Sequence, residues 1–241
     1  MNYGHRFISR IWHRPISLEQ QIVRIRKDWD RRASENPLYF IATGNEHWDP
    51  KEFYASGDQT VQAYILSDME NICQGQDPKD MRVLEIGCGA GRETRSLASI
   101  FGEVHGVDIS AEMVRLARNA VGEFPNAFIH QNNGTDLSVV ADKLFDFAYS
   151  YLVFQHIQNL EVIRTYVRDI HRLLRPGSLF KFQVQGIVTK RGARPGDTWF
   201  GIPFSEEQIM QMARDCDFES RYRTGVGQQD FWNWFFKPNV T

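Results

Sequence analysis

The chain is short of cysteine, lacks a long apolar run and carries no excess of one charge. Its three cysteines, Cys73, Cys88 and Cys216, stand far apart and form no C-x-x-C pair. That excludes a zinc knuckle or a disulfide framework, and the odd count suits a reducing compartment. No apolar stretch approaches the ~18–20 residues that a membrane span needs. Residues 1–15 mix Arg and His with apolar residues and have no h-region, so no signal peptide is expected. The formal net charge of −2 argues against a dedicated nucleic-acid binder, which carries a basic excess. No cluster of His, Cys, Asp and Glu has metal-ligand spacing, so no metal is expected. These absences lead to the expectation of a cytoplasmic protein without a membrane span. The glycosylation sequons at Asn133 and Asn239 are then chance matches.

What is present is enough apolar residue, 42% of 241, for one sizeable core with an appendage. Residues 1–80 are rich in Arg and aromatics and read as helices and loops, a helical extension or lid. Ser17-Leu18-Glu19-Gln20 is a capping box, followed by Leu18, Ile22, Ile25 and Trp29 at helical spacing. Asn36-Pro37 ends that helix, because the residue before proline is pushed out of the α region. A second helix is expected from near Gly57-Asp58 through Met69, and Gly75 to Asp80 reads as a linker. Arg6, Arg10, Arg14, Arg24, Arg26, Lys27, Arg31 and Arg32 face only Glu19, Asp28 and Asp30 in this zone. A solvated helix face accounts for them, since charge runs usually solvate; a basic patch for an anionic partner is the sharper alternative.

From Met81 short apolar runs alternate with amphipathic stretches. Strands are expected at 82–86, 103–107, 127–130, 144–150 and 178–185, with helices at 92–101, 111–120 and 160–174. This alternation implies parallel βαβ units. A Gly/Pro/Arg loop from Gly186 to Pro203, a helix from Ser205 and two strands joined by Gly225-Val226-Gly227 follow. The expected fold over 81–241 is α/β: a Rossmann-like, doubly wound, mostly parallel sheet with an antiparallel C-terminal edge strand.

The strongest motif is Val83-Leu84-Glu85-Ile86-Gly87-Cys88-Gly89-Ala90-Gly91-Arg92, a strand running into a glycine-rich turn that opens a helix. Glycine permits positive φ and close approach of a ligand to bare backbone. The helix start offers free N–H groups. Asp108 ends the next strand about twenty residues on, the spacing of an acid that accepts from a ribose diol. Ser110 then caps a helix with Glu112 in its first turn. A dinucleotide fingerprint needs a small residue where Arg92 stands, which disfavours a nicotinamide-dependent oxidoreductase. Glu85 is a carboxylate suited to an α-amino group rather than to a pyrophosphate.

These residues, with Gly106-Val107-Asp108-Ile109-Ser110, Phe145-Asp146 and Leu173-Leu174-Arg175-Pro176-Gly177, resemble the class I S-adenosylmethionine-dependent methyltransferases. The resemblance covers roughly Met81 to Gln185. It implies that Glu85, Gly87, Cys88, Gly89 and Arg92 hold the methionine part of S-adenosylmethionine. Asp108, with Ile109 and Met113, would hold the ribose side. Asn133 and Gly134 would meet the adenine, with Asp136 a rival. Asn133 stands where the family often has an acid, and Ser178 where it often has a second glycine. Ser150, Tyr151 and Gln155 would complete the cofactor wall, with S-adenosylhomocysteine as product.

The segment Ser150 to Ile157 lies beyond the fourth strand, where ligands of open α/β sheets sit. His156 is the candidate catalytic residue; a satisfied structural histidine is the alternative. Methyl transfer from a sulfonium is an in-line displacement that needs alignment and exclusion of water. A base is needed only for an acceptor that holds its proton tightly. Trp48, Phe53, Tyr54, Trp199 and Phe200 are candidates for a lid or for plain packing. The reading is a methyltransferase acting on an O, N or C nucleophile of a small organic molecule. An RNA or protein methyltransferase using the basic zone is the first alternative. A non-catalytic cofactor-binding module is the second. Oligomeric state and substrate are not legible.

Overall fold

The computed structural model describes residues 16–187 and 198–239. His5, Arg6, Arg10, His13 and Arg14 lie outside the described residues, as does most of the Gly/Pro/Arg loop after Gly186.

The first helix, α1 (Leu18–Glu35), opens on the capping box: Ser17 Oγ accepts from the Gln20 N–H, and the Gln20 side chain accepts from the Ser17 N–H. Two orphan donors are thereby satisfied. Asn36 ends α1 and immediately caps α2 (Pro37–Ile41), its Oδ1 accepting from the Tyr39 N–H. The break is therefore a helix-to-helix corner, with proline at the tolerated first position. Helix α3 (Pro50–Tyr64) begins well before Gly57, because Asp49 accepts from the N–H groups of Lys51 and Glu52 and Pro50 follows it. Gly57 sits inside α3 for another reason: an added Cβ would lie 2.2 Å from the Arg92 carbonyl oxygen. The segment then runs through α4 (Met69–Cys73) to the sheet.

Seven strands follow: β1 (Arg82–Ile86), β2 (Glu103–Asp108), β3 (Ala127–Gln131), β4 (Phe145–Ser150), β5 (Leu174–Val184), β6 (Glu219–Thr224) and β7 (Phe231–Phe236). They order as β3-β2-β1-β4-β5-β7-β6. The first five are parallel, and β7 runs antiparallel to both β5 and β6. The C-terminal hairpin thus inserts β7 beside β5 and leaves β6 outermost. The fold is the expected mostly parallel α/β sheet with an antiparallel hairpin at one edge. Its helices are α5 (Thr94–Ile100), α6 (Ala111–Ala120), α7 (Leu160–Leu173) and α8 (Glu206–Asp215).

Alternation along the strands builds a core on each face. Leu84, Ile86, Ala148, Phe180 and Phe182 join α7 and α8 through Ile163, Val167, Ile170 and Ile209. Val83, Phe147, Tyr149 and Leu179 join α3 and α5 through Val61, Leu97 and Phe101. Strands buried on both faces read as continuous apolar runs, as these do. Two features lock the N-terminal helices on this core. Lys181, 3% exposed, donates to Asp68 Oδ2 at 2.6 Å and to the Tyr64 carbonyl. Asp30 Oδ1 accepts from the Ser110 hydroxyl at 2.6 Å, tying α1 to the start of α6. No helix among the described residues is long and apolar enough to cross a membrane. Strand order reverses between β1 and β4, so the loops leaving those strands diverge and open a crevice.

Candidate functional site

The crevice holds a cavity of about 410 Å³, with α1 and α2 forming part of its wall. Its floor is the glycine turn after β1. Gly87, Gly89 and Gly91 have φ of 75°, 52° and 80°, the left-handed region that favours glycine. The Gly87 and Cys88 N–H groups donate to the Val107 carbonyl, pinning the turn to β2. Gly91 packs against Ala117 of α6, where a Cβ would lie 3.2 Å from Cα.

Asp108 closes this floor. Its Oδ2 accepts from the Gly89 N–H at 3.0 Å and its Oδ1 from the Ser110 N–H at 2.9 Å. Burial pushes its carboxyl up to about 6, against the opposing effect of these backbone N–H groups. Asp108 and its neighbours Ile109 and Met113 line the cavity, as do Gly87, Gly89 and Arg92. Gly134, Tyr151, Gln155 and His156 line it too.

Four residues expected at the site do not line the cavity. Glu85 turns beneath the glycine turn, where its Oε2 accepts from the Thr94 hydroxyl at 2.5 Å. Burial, then the nearby Glu93, push its carboxyl up to about 8. Its carboxyl thus lies in the interior, bonded to Thr94, and not on the cavity wall where a carboxylate facing an α-amino group was expected. Cys88 packs on Gly106, whose missing Cβ would meet the thiol carbon at 2.9 Å. Ser150 donates to the Ile86 carbonyl at 3.2 Å, joining the ends of β4 and β1. Asn133 spends its amide oxygen on the N–H groups of Thr135 and Asp136, at 2.7 and 3.0 Å. Local side-chain turns of this kind compete for the polar atom.

The neighbouring Asn132 was missed. It lines the cavity and is 6% exposed. Its Nδ2 donates to the Tyr166 hydroxyl at 2.7 Å, while its Oδ1 is buried without a hydrogen-bond partner. An orphaned buried acceptor beside a cavity is an unmet demand for a donor. One position of strand register separates Asn132 from Asn133, and sequence spacing does not resolve that difference.

Arg92 serves the wall. Its guanidinium donates to Ser56 Oγ, Thr60 Oγ1 and Glu93 Oε1, clamping α3 to the turn. Gly57 lets α3 approach the Arg92 backbone at this point.

The far end of the cavity is aromatic. Trp29, Phe40, Tyr151 and Trp199 line it. His156 Nδ1 lies 2.5 Å from the Trp199 carbonyl oxygen, so Nδ1 carries the proton and Nε2 is left as acceptor toward Gln155 Nε2 at 3.3 Å. The Trp29 ring meets the imidazole edge-on at 5.3 Å. Arg32 lies against the faces of Trp29 and Trp199, with its guanidinium carbon 4.8 and 5.2 Å from the ring centroids. Leu152 adopts φ 58° after β4 and gives its N–H to Gln183 Oε1. That strained turn carries no sequence signal; Gln183 looked like an ordinary strand residue.

A glycine turn, an acid at the end of β2 and an orphaned acceptor after β3 surround one cavity at the point where strand order reverses. This defines a nucleoside-binding α/β domain. Residues 84–182 match the model of the methyltransferase domain family. The chain is 37% identical over 95 residues to a demethylmenaquinone methyltransferase of Tropheryma whipplei, a match covering 39% of this chain and 38% of that protein. It is 26% identical over 221 residues to a ubiquinone biosynthesis O-methyltransferase of Sinorhizobium fredii, covering 83% and 84% of the two chains. The N-methyltransferase NodS of Bradyrhizobium japonicum, solved with S-adenosyl-L-homocysteine, superposes with a TM-score of 0.63 at 15% identity, over 90% of this chain and 100% of NodS. Over residues 84–182 the chain is thus similar to S-adenosylmethionine-dependent methyltransferases, and its fold is theirs.

Proposed function

We propose that this chain binds S-adenosylmethionine in the cavity and transfers its methyl group to a nucleophile of a small organic molecule. The observation that carries the reading is the continuity of one cavity from Asp108 and the glycine turn to the aromatic end at Tyr151, His156 and Trp199. A cofactor and an acceptor would meet there within one enclosure. When bound, S-adenosylmethionine supplies a methyl group already activated on a sulfonium.

The residues present fit that group. Asp108 offers carboxylate lone pairs to a ribose diol. The bare backbone at Gly87 and Gly89 admits the methionine portion. Asn132 Oδ1 gains a donor from the adenine amino group, in place of the expected Asn133. Ile109 and Gly134 flank that ring. The protein's remaining task is orientation and exclusion of water. His156 acts as a positioning residue, holding the Trp199 carbonyl and so the aromatic wall. Residues 16–80 serve as a helical lid over the catalytic domain that begins at Met81.

The small-molecule reading is favoured over a nucleic-acid substrate by three arginines of the basic zone that are already engaged within the chain. Arg26 donates to the Asn133 carbonyl, Arg31 pairs with Glu35, and Arg32 is buried among aromatic rings. Calorimetric titration with S-adenosylmethionine, S-adenosylhomocysteine and NADH tests the reading. Binding of the first two, and not of NADH, supports it. Binding of NADH alone, or of none of the three, overturns it.

A further inference from the structure

The antiparallel β7 has a consequence for the acceptor end of the cavity. Because β7 runs against β5, its first residues lie at the carboxyl end of the parallel strands, with Phe231 opposite Val184. The residues just before it, Gln229 and Asp230, therefore reach the cavity and line it. Asp230 belongs to the hairpin, outside the glycine turn and the ribose acid that define the nucleoside end.

Three observations single it out. Its carboxylate has no hydrogen-bond or ion-pair partner among the described residues. Its backbone is held in place: the fully buried Gln183 gives its Nε2 proton to the Gln229 carbonyl at 3.0 Å, and the Gly186 N–H donates to the Gln228 carbonyl at 2.9 Å. The same Gln183 side chain accepts from the Leu152 N–H and donates to Gln155 Oε1, so one buried amide ties the loop after β4 and the segment before β7 together at the acceptor end. Finally, Arg92 is the one arginine or lysine among the described lining residues, and it is committed to Glu93, Ser56 and Thr60, while Arg32 packs on the Trp29 and Trp199 rings without lining the cavity.

We propose that Asp230 is a substrate-binding residue that selects a cationic amine as methyl acceptor and takes its proton. This rests on the methyltransferase reading above and names its substrate class. An aromatic enclosure with one carboxylate is the chemistry that recognises an ammonium group: the rings attract the cation through their faces and the carboxylate pairs with it. An ammonium nitrogen has no lone pair to attack with. One N–H proton passes to Asp230, forming the carboxylic acid. The freed lone pair forms the N–CH3 bond as the C–S bond breaks and its electron pair returns to sulfur. Burial raises the Asp230 carboxyl above its ordinary value, which makes it a better proton acceptor once ionised.

The test uses the full chain and the Asp230→Asn and Asp230→Ala variants, each first shown to bind S-adenosylhomocysteine. Failure of that step strikes the cofactor reading and is thereby distinguished from failure of this one. Protein loaded with S-adenosylhomocysteine is then titrated with tyramine and tryptamine, and with the neutral counterparts 4-ethylphenol and indole. Methyl transfer to the same four compounds is followed with labelled cofactor. The expected result is a preference of tenfold or more for the amines that disappears in both variants, with at least a tenfold loss of amine methylation in Asp230→Asn. Neutral compounds bound as well as amines, no amine binding at all, or an unchanged preference in the variants each overturn it. So does a variant that weakens S-adenosylmethionine relative to S-adenosylhomocysteine while leaving amine selectivity intact. That outcome would make Asp230 a counter-ion to the sulfonium.

Discussion

Val153 occupies the space where Gly87 would carry a side chain: a Cβ on Gly87 would lie 2.2 Å from one Val153 methyl carbon and 2.8 Å from the other. The loop after β4 is thus docked directly on the turn after β1, and the crevice between them keeps its shape because one residue is glycine. Gly87 also sits at φ 75°, where an L side chain is strained. Gly87→Ala should cost about 1–3 kcal/mol of stability from the backbone alone, plus displacement of Val153. Adding Val153→Ala should restore part of the loss, because the clash is shared and the two changes are not additive. Thermal melts of the two single variants and the double variant check this. A double variant that loses the sum of the singles removes the contact from the explanation.

Asp108 gives a prediction in pH. Its carboxyl is raised to about 6 by burial, so it becomes protonated as pH falls through that value. A protonated acid donates one hydrogen bond and loses acceptor strength toward a diol. Affinity for S-adenosylhomocysteine should therefore weaken below about pH 6 in the wild type, and that limb should be absent in Asp108→Asn. At pH 7.5 Asp108→Ala should lose about 1.5–3 kcal/mol of binding, roughly 10- to 150-fold in Kd. Calorimetry across pH 5 to 8 reads both effects. An unchanged Kd in Asp108→Ala would take the ribose site away from this residue.

The order of legibility in this chain follows the range of the interactions involved. The βαβ alternation, the capping box at Ser17 and the glycine turn depend on neighbours in sequence and lie where expected, with β5 starting at Leu174 instead of 178. Helix α3 starts earlier than expected because Asp49 caps it and Pro50 fits its first position. Glu85 and Asn133 show the harder limit. Strand alternation places Glu85 beside the turn, but whether its carboxyl enters the cavity or the protein depends on Thr94 and Glu93 across a helix start. Asn133 and Asn132 differ by one position, and only the turn to Thr135 and Asp136 decides which amide stays available. Asp230 is legible only once β7 is known to be antiparallel, since that reversal alone brings it to the cavity.

Glu85 makes the stability of the fold pH-dependent. Its carboxyl lies near 4.5 when exposed and is pushed up to about 8 in the folded chain, by burial first and Glu93 second. A carboxyl raised in this way binds its proton more tightly folded than unfolded. Between those values each rise in pH favours the unfolded chain, and the stability it contributes at low pH is lost as pH passes 8. Glu85→Gln keeps the shape and an acceptor for the Thr94 hydroxyl without the ionisation. Urea midpoints from pH 5 to 9 should fall less steeply with rising pH for the variant than for the wild type. Parallel curves would mean that Glu85 is not protonated in the native state.

The N-terminal helix should be released by a single change at Asp30. The carboxylate accepts from the Ser110 hydroxyl at 2.6 Å and lies 3.4 Å from the Glu112 nitrogen, so it extends the cap of α6 from a distant segment. Ser110 is itself fully buried and already accepts from the Met113 N–H. Asp30→Ala therefore strands a buried hydroxyl donor and removes a negative charge from a helix N-terminus, at a cost of about 1–3 kcal/mol. That cost falls on the contact between α1 and α6, because the rest of α6 is held by Val114 and Ala117 in a separate cluster. Hydrogen exchange of α1 should accelerate while that of β1 and β4 stays protected, the signature of local rather than global opening. Since α1 carries Trp29 and Ile22 into the cavity wall, S-adenosylhomocysteine should bind more weakly to the variant and should slow α1 exchange when it does. Asp30→Asn, which retains an acceptor, should recover most of the protection. Equal exchange of α1 in wild type and Asp30→Ala would show that the helix is held by its apolar face alone.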